Sequence, residues 1–212
     1  MVPLLFLLIA SAALLLLYFG TGKNRKVLLY FFLWQIIVSM LALLQVFQQR
    51  PVLFVGVIIG TILLTILSLR NIKTAAINPK LLLAIHVLRI PVELVLYQLY
   101  LQHKVPLSMT FKGINFDIVM GISALTLLGY RLLSNKNSNR SFFIAWNLLG
   151  ICFLLFIVSL AILSSPLPLQ QFAFDQPNIA VLAFPYCLLP AGVVPIVLIA
   201  HLLLLRKEMK QV

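Results

Sequence analysis

Carboxylates are almost missing from this sequence: four Asp and Glu stand against sixteen Lys and Arg in 212 residues. Charged residues of either sign make up only 9% of the chain, while 63% is hydrophobic and the mean hydropathy is +1.13. A chain of this composition cannot cover a core with a polar surface, which excludes the ordinary water-soluble domain. Cysteine is scarce too. Cys152 and Cys187 lie within apolar stretches and form no CxxC pair, so no disulfide framework and no cysteine metal site are expected. No GxSxG, GxGxxG or GxxxxGK occurs, and Asp175 falls between apolar stretches, so neither serine-hydrolase nor nucleotide-loop chemistry has support. The net charge of +12 would suggest nucleic acid in a soluble protein. Here the cations sit in short runs between apolar stretches, so the partner they imply is the lipid bilayer with its anionic headgroups, and no nucleic acid.

What fills the chain instead is apolar sequence in lengths that match a membrane. A hydrocarbon core of about 30 Å takes about 20 residues of helix. Such stretches run near 2–20, 27–48, 51–69, 80–104, 115–134, 141–164 and 178–206. The first lacks a basic leader and is followed by Lys23, Arg25 and Lys26, so it is expected to be retained rather than cleaved as a signal peptide. Alternate connections carry the cations: Lys23, Arg25 and Lys26; Arg70, Lys73 and Lys80; Arg131, Lys136 and Arg140; Arg206, Lys207 and Lys210. The other connections hold only Arg50, Lys104 and Lys112. Positive charge stays in the cytoplasm, which predicts seven crossings with the N-terminus outside and the C-terminus inside. The fold class expected is an all-α membrane bundle forming one transmembrane domain over 1–212. The longer external connections, 105–116 and 165–177, offer a lid but no room for a soluble catalytic domain, so an enzyme is not the first expectation.

The chain repeats itself. Shifted against itself, SAALLLLY (11–18) falls on SALTLLGY (123–130), and the same register places Phe31 on Phe143, Trp34 on Trp146 and Gln35 on Asn147. The two tryptophans of the chain therefore coincide. This predicts a 3+1+3 plan: a unit over about 2–70, a linking helix over about 80–104, and a second unit over about 115–206 in the same orientation. That plan resembles the SWEET and PQ-loop transporters and, more loosely, the opsins. The resemblance is architectural: no Pro-Gln pair occurs, and the last span carries no lysine before Lys207 for a retinal Schiff base. The strings HVLRIPVELVLYQL and QQFAFDQPN are also similar to an uncharacterised bacterial membrane-protein family, a resemblance that implies no function.

The linking stretch is the most informative. On a helix, His86, Arg89, Glu93, Tyr97 and Tyr100 fall within an arc of about 80°, opposite Leu88, Val92, Val95 and Leu99. Arg89 lies about 13 Å from Lys80 along the axis, and a charge at such depth costs on the order of 2.5–3.5 kcal/mol. Glu93, four residues on, is the expected partner. Between them Pro91 cannot donate to the carbonyl of Val87, which predicts a kink. The pair either pins the helix to its neighbours or lines a polar cavity for substrate or protons.

Gln35, Asn147, His86 and His201 lie at comparable depths, about 8–13 Å from their cytoplasmic anchors. Trp34 and Trp146 accompany the two amides and either help to shape a pocket for a small polar or anionic ligand or serve as belt anchors. His86 and His201 also raise the alternative of a b-type haem or quinone redox protein. Pro185, Pro190 and Pro195 predict a bent or broken last helix able to gate, together with Pro91. Gly56 and Gly60, in GVIIG, predict close packing within the bundle or in a homodimer. The leading expectation is a small transporter or ligand-binding membrane protein. Its site is His86, Arg89, Glu93 and Tyr97 with Trp34, Gln35, Trp146 and Asn147, Arg89 meeting an anion and Glu93 a proton. A non-catalytic assembly or interaction subunit is the further alternative.

Overall fold

A chain without water around it must satisfy every backbone polar group internally, and long Leu-, Ile- and Phe-rich runs do so as helices. The computed structural model describes residues 1–134 and 139–210, and among these there is no β-strand. The α-helices are α1 (Val2–Gly20), α2 (Arg25–Leu43), α3 (Val46–Gln49), α4 (Phe54–Asn71), α5 (Pro79–Val87), α6 (Arg89–Leu101), α7 (Asp117–Leu133), α8 (Arg140–Leu163) and α9 (Val194–Met209). Short 3-10 turns and one π-helical turn, Leu189–Val193, join or extend them.

Three helices begin in the same way. Asn24, Asn78 and Asn139 cap α2, α5 and α8, their side-chain oxygens accepting the first free N–H groups. A cation follows each cap within two residues, at Arg25, Lys80 and Arg140. These starts all belong to the basic connections of the sequence. Lys136, counted among those cations, lies outside the described residues. Arg131 does not face the headgroups as expected: it is buried on α7 with its guanidinium 4.0 Å from the centre of the Phe143 ring. Arg206 and Lys207 are likewise engaged, donating to the carbonyls of Leu69 and Ile77.

Six helices are long and apolar enough to cross a membrane: Val2–Gly20, Arg25–Leu43, Pro51–Asn71, Pro79–Leu101, Arg140–Leu163 and Leu189–Met209. This is compatible with an integral membrane protein, and the surface agrees. Leu29, Phe32, Ile36, Ile59, Leu125 and Leu148 are among many large apolar side chains that face outward, the inverse of a soluble protein. The expected fifth span is shorter than the sequence implied, with 17 residues in α7.

Burial picks out the central elements. The span Leu189–Met209 is 67% buried and Pro79–Leu101 50%, against 22–33% for the other four. The linking stretch is thus interior: α5 packs on α1, α7 and α9, and α6 on α1 and α7. It is not one helix. The carbonyl of Val87 has no N–H to accept from at Pro91, and α5 ends there; Leu88 turns, and α6 restarts at Arg89 with Pro91 in its first turn, where a missing N–H does least harm. The last stretch is broken more severely than a bend. Residues 178–187 are irregular with a short 3-10 turn, and continuous helix starts only at Leu188, just before the π turn Leu189–Val193. The Tyr186 carbonyl, which Pro190 cannot serve, is taken by the Leu189 N–H.

Candidate functional site

Gly121 sets the registry between α6 and α7. A Cβ there would meet Ile90 and Arg89, so only a glycine lets α7 lie this close. Asp117, one turn earlier, consequently begins α7 beside α6, well inside the bundle. Glu93 stands about 12 Å along the axis below Leu101, and Arg89 about 18 Å below it. The connection 102–116 therefore folds inward in place of an outer turn of α7, and Met109, Thr110 and Asn115 are buried in it.

This corrects the expected partner of Arg89. Its Nη2 lies 3.3 Å from Asp117 Oδ1 and donates to the Gly150 carbonyl at 3.3 Å, while Nη1 lies 3.5 Å from His201 Nε2. Glu93 turns to Asn115 instead, whose Nδ2 donates to Glu93 Oε1 and to the Met109 carbonyl at 3.1 Å. Asn115 Oδ1 accepts the Asp117 N–H at 3.1 Å. One asparagine thus holds the inward-folded connection, Glu93 and the start of α7 together. Asp117, Asn115 and Gly150 were missed in the sequence. Asp117 had a signal, as one of only four carboxylates and the only one at the head of an apolar stretch.

Behind Arg89 lies a second, sealed cluster. Asn147 donates to the Phe143 carbonyl at 2.8 Å, which leaves its Oδ1 to accept from His201 Nδ1 at 2.9 Å. In a neutral imidazole Nε2 is then the acceptor and faces Arg89. His86 stacks on His201 with ring centres 3.9 Å apart, and Trp146 meets His86 edge-on while donating to Ser123 Oγ at 2.9 Å. Both nitrogens of His86 lack a partner among the described residues. Gly150 makes room for the cluster, since a Cβ there would collide with the His201 ring. The two histidines do not fit the haem expectation. Axial ligation needs an iron and a porphyrin plane between the two imidazoles, and here the ring centres are 3.9 Å apart with the planes tilted by 31°.

A cavity of about 430 Å³ opens between α4, α6, α8 and α9. Its wall is apolar except where Arg89, Glu93, Asn115 and Asp117 reach it and at a few hydroxyls and Asn178. Pro190 and Pro195 also line it. Of the expected binding residues, only Arg89 and Glu93 stand on this wall. Tyr97 does not: its hydroxyl accepts from Lys112 at 2.7 Å and its ring packs on Phe111, so it fixes the connection 102–116. Trp34 supports the wall from behind, donating to Thr61 at 3.0 Å across Gly60, whose missing side chain admits the indole. Gly60 is thereby used inside the molecule, while Gly56, its partner in the motif, faces open space. Gln35 lies against Gly192 in the π turn, away from the cavity.

Fold and site together define a class: an all-helical protein with membrane-length helices, an interior ion pair and a cavity beside it. The chain belongs to the family described as a domain of unknown function, DUF8737, whose model matches residues 46–207. No curated protein and no solved structure matches it.

Proposed function

We propose that this protein is a small-molecule transporter or ligand-binding protein of the bacterial cytoplasmic membrane, with its site on the cavity wall formed by Arg89, Glu93, Asn115 and Asp117. The observation that carries the reading is the placement of Arg89, Glu93, Asn115 and Asp117 together on the wall of a mostly apolar cavity of about 430 Å³ near mid-span. Ion pairs that serve only to hold helices together need no space beside them, and intramembrane ionisable groups at a cavity mark binding sites. Broken helices around such a space are the pattern of transporters.

The topology that goes with this reading is seven crossings, N-terminus outside and C-terminus in the cytoplasm, with α7 as the seventh. The 17 residues of α7 extend about 26 Å, and Val119, Ile122 and Leu125 expose its outer face. The 3+1+3 plan is supported by packing: α2 lies against both α1 and α4, and α8 against both α7 and α9. Native mass spectrometry of the protein released from mild detergent tests the function. Wild type is expected to carry a bound small molecule that Arg89→Ala and Glu93→Leu both lose. A molecule retained by both variants, folded as wild type, refutes the site.

A further inference from the structure

The cavity runs as a groove between α4 and α9, and both walls continue past Leu69 into a second, open hollow. Leu69 lines the groove, while Ile72 and Lys73, just past the end of α4, line the hollow. On α9 Leu202 lines the groove and Arg206, one turn on, lines the hollow, joined there by Lys207 and Lys210. These three cations of α9 fall within an arc of about 100°. The hollow thus gathers Lys73, Arg206, Lys207 and Lys210, and among the described residues no carboxylate lines it. Glu208 stands about 160° around α9 from Arg206, and its charge acts on Arg131 of α7 instead.

Two of the four cations are held in place. Arg206 donates from Nη1 to the carbonyls of Leu69 at 3.1 Å and Ile72 at 3.5 Å, where the end of α4 leaves acceptors unmet. Its Nε and Nη2 have no partner among the described residues. Those two N–H groups form the edge of a guanidinium that meets a phosphate through two parallel hydrogen bonds. Lys207 gives one proton to the Ile77 carbonyl at 2.9 Å and keeps two. Both side chains are half-buried, whereas Lys73 and Lys210 are exposed. Capping of α4 accounts for Arg206 and Lys207 alone. It gives no reason for Lys73 and Lys210 to border the same hollow, where four like charges repel one another until an anion sits among them.

We propose that this hollow binds the phosphate head of an anionic phospholipid. The phosphate meets Nε and Nη2 of Arg206, with Lys73, Lys207 and Lys210 around it. The chains lie along the outward face of α4, where Ile62, Ile66 and Leu67 are exposed. Two observations select a lipid over a soluble phosphate. The hollow lies at the ends of two helices of membrane length, the level at which basic pockets between helices hold anionic headgroups. On both walls the cations also give way to hydrocarbon within one turn, at Leu69 and Leu202. The site is independent of whatever the interior cavity holds.

The test is native mass spectrometry of the full-length protein, delipidated in mild detergent. It is titrated with phosphatidylglycerol, with phosphatidylcholine of the same chains, and with inorganic phosphate. Phosphatidylglycerol is expected to bind more tightly than phosphatidylcholine, whose choline brings a further cation to the hollow. Lys73→Gln/Lys210→Gln removes two exposed charges and should weaken that binding about thirtyfold, at roughly fivefold for each cation. Lys26→Gln/Arg140→Gln removes as much charge from other basic connections and should leave it nearly unchanged. Equal loss in the two pairs overturns the proposal, since general attraction of cations for an anionic surface then suffices. Equal binding of phosphatidylcholine, phosphate bound as tightly as phosphatidylglycerol, or no bound phosphatidylglycerol overturns it as well. A phospholipid that survives Arg89→Ala and Glu93→Leu but not the lysine pair belongs to this hollow, and the cavity is judged by its own ligand.

Discussion

Removing both partners of the Arg89–Asp117 pair should damage the protein less than the two single removals add up to. The pair is 3.3 Å apart with side chains 3% and 12% exposed, and a buried charge deprived of its partner costs about 3–5 kcal/mol. For a chain of this length that corresponds to a fall in Tm of roughly 6–20 °C. Asp117→Asn and Arg89→Met each remove one charge with little change of volume. Combined, they should lose less than the sum of the singles, with a coupling of about 1–3 kcal/mol. Thermal unfolding in detergent, followed by intrinsic fluorescence, measures all four proteins. The same cycle with Glu93→Gln in place of Asp117→Asn should show the weaker coupling, because Glu93 is bonded to Asn115 and not to Arg89. Strict additivity for Arg89 and Asp117, or stronger coupling to Glu93, would refute the pairing and restore the neighbour four residues along the helix.

Gly150→Ala should lower stability by about 1–3 kcal/mol, the usual cost of overfilling a packed core, because the added Cβ meets the His201 ring. The double variant Gly150→Ala/His201→Ala should lose less than its singles predict, and a neutral Gly150→Ala in the same thermal assay would contradict the sealed cluster. With Cys152 and Cys187 changed to serine, Lys112→Cys should react with a membrane-impermeant maleimide in intact cells, and Lys210→Cys only after permeabilisation. Labelling of both from one side would remove α7 from the list of crossings.

Much of the fold was legible because a bilayer leaves few choices. Apolar runs of membrane length became helices, and Pro91 ended α5 where the unmet Val87 carbonyl required it. His86, Arg89 and Glu93 are buried, but so are Val92, Val95 and Leu99 from the face opposite, so helical periodicity alone did not set the polar stripe apart. The partners did not follow. Spacing along one helix favoured Glu93 for Arg89, but a long guanidinium reaches across to another helix as easily as along its own. Which groups wait there depends on where α7 begins. Asp117 could be placed at the cavity only by knowing that the connection 102–116 folds inward, and inward folding leaves no periodic trace. Trp34 and Trp146 coincide when the sequence is shifted against itself, yet one bonds forward to Thr61 on α4 and the other back to Ser123 on α7.

Three interruptions of regular backbone converge on the cavity: the turn at Leu88 just before Arg89, the start of α7 at Asp117, and the π turn Leu189–Val193 with Pro190. Lipid cannot satisfy backbone freed in this way, so such breaks persist only where protein or a cavity covers them. Each break also does something a continuous helix would not. The turn at Leu88 separates the sealed histidine cluster from the groove, and the late start of α7 brings a carboxylate inward to meet Arg89. The π turn places Pro190 and Val193 on the wall where a regular helix would set different residues. Interruptions serving only to bend helices around a solid core would leave no reason for all three to border one space. Their meeting around Arg89 and Glu93 therefore argues for a site shaped to hold something.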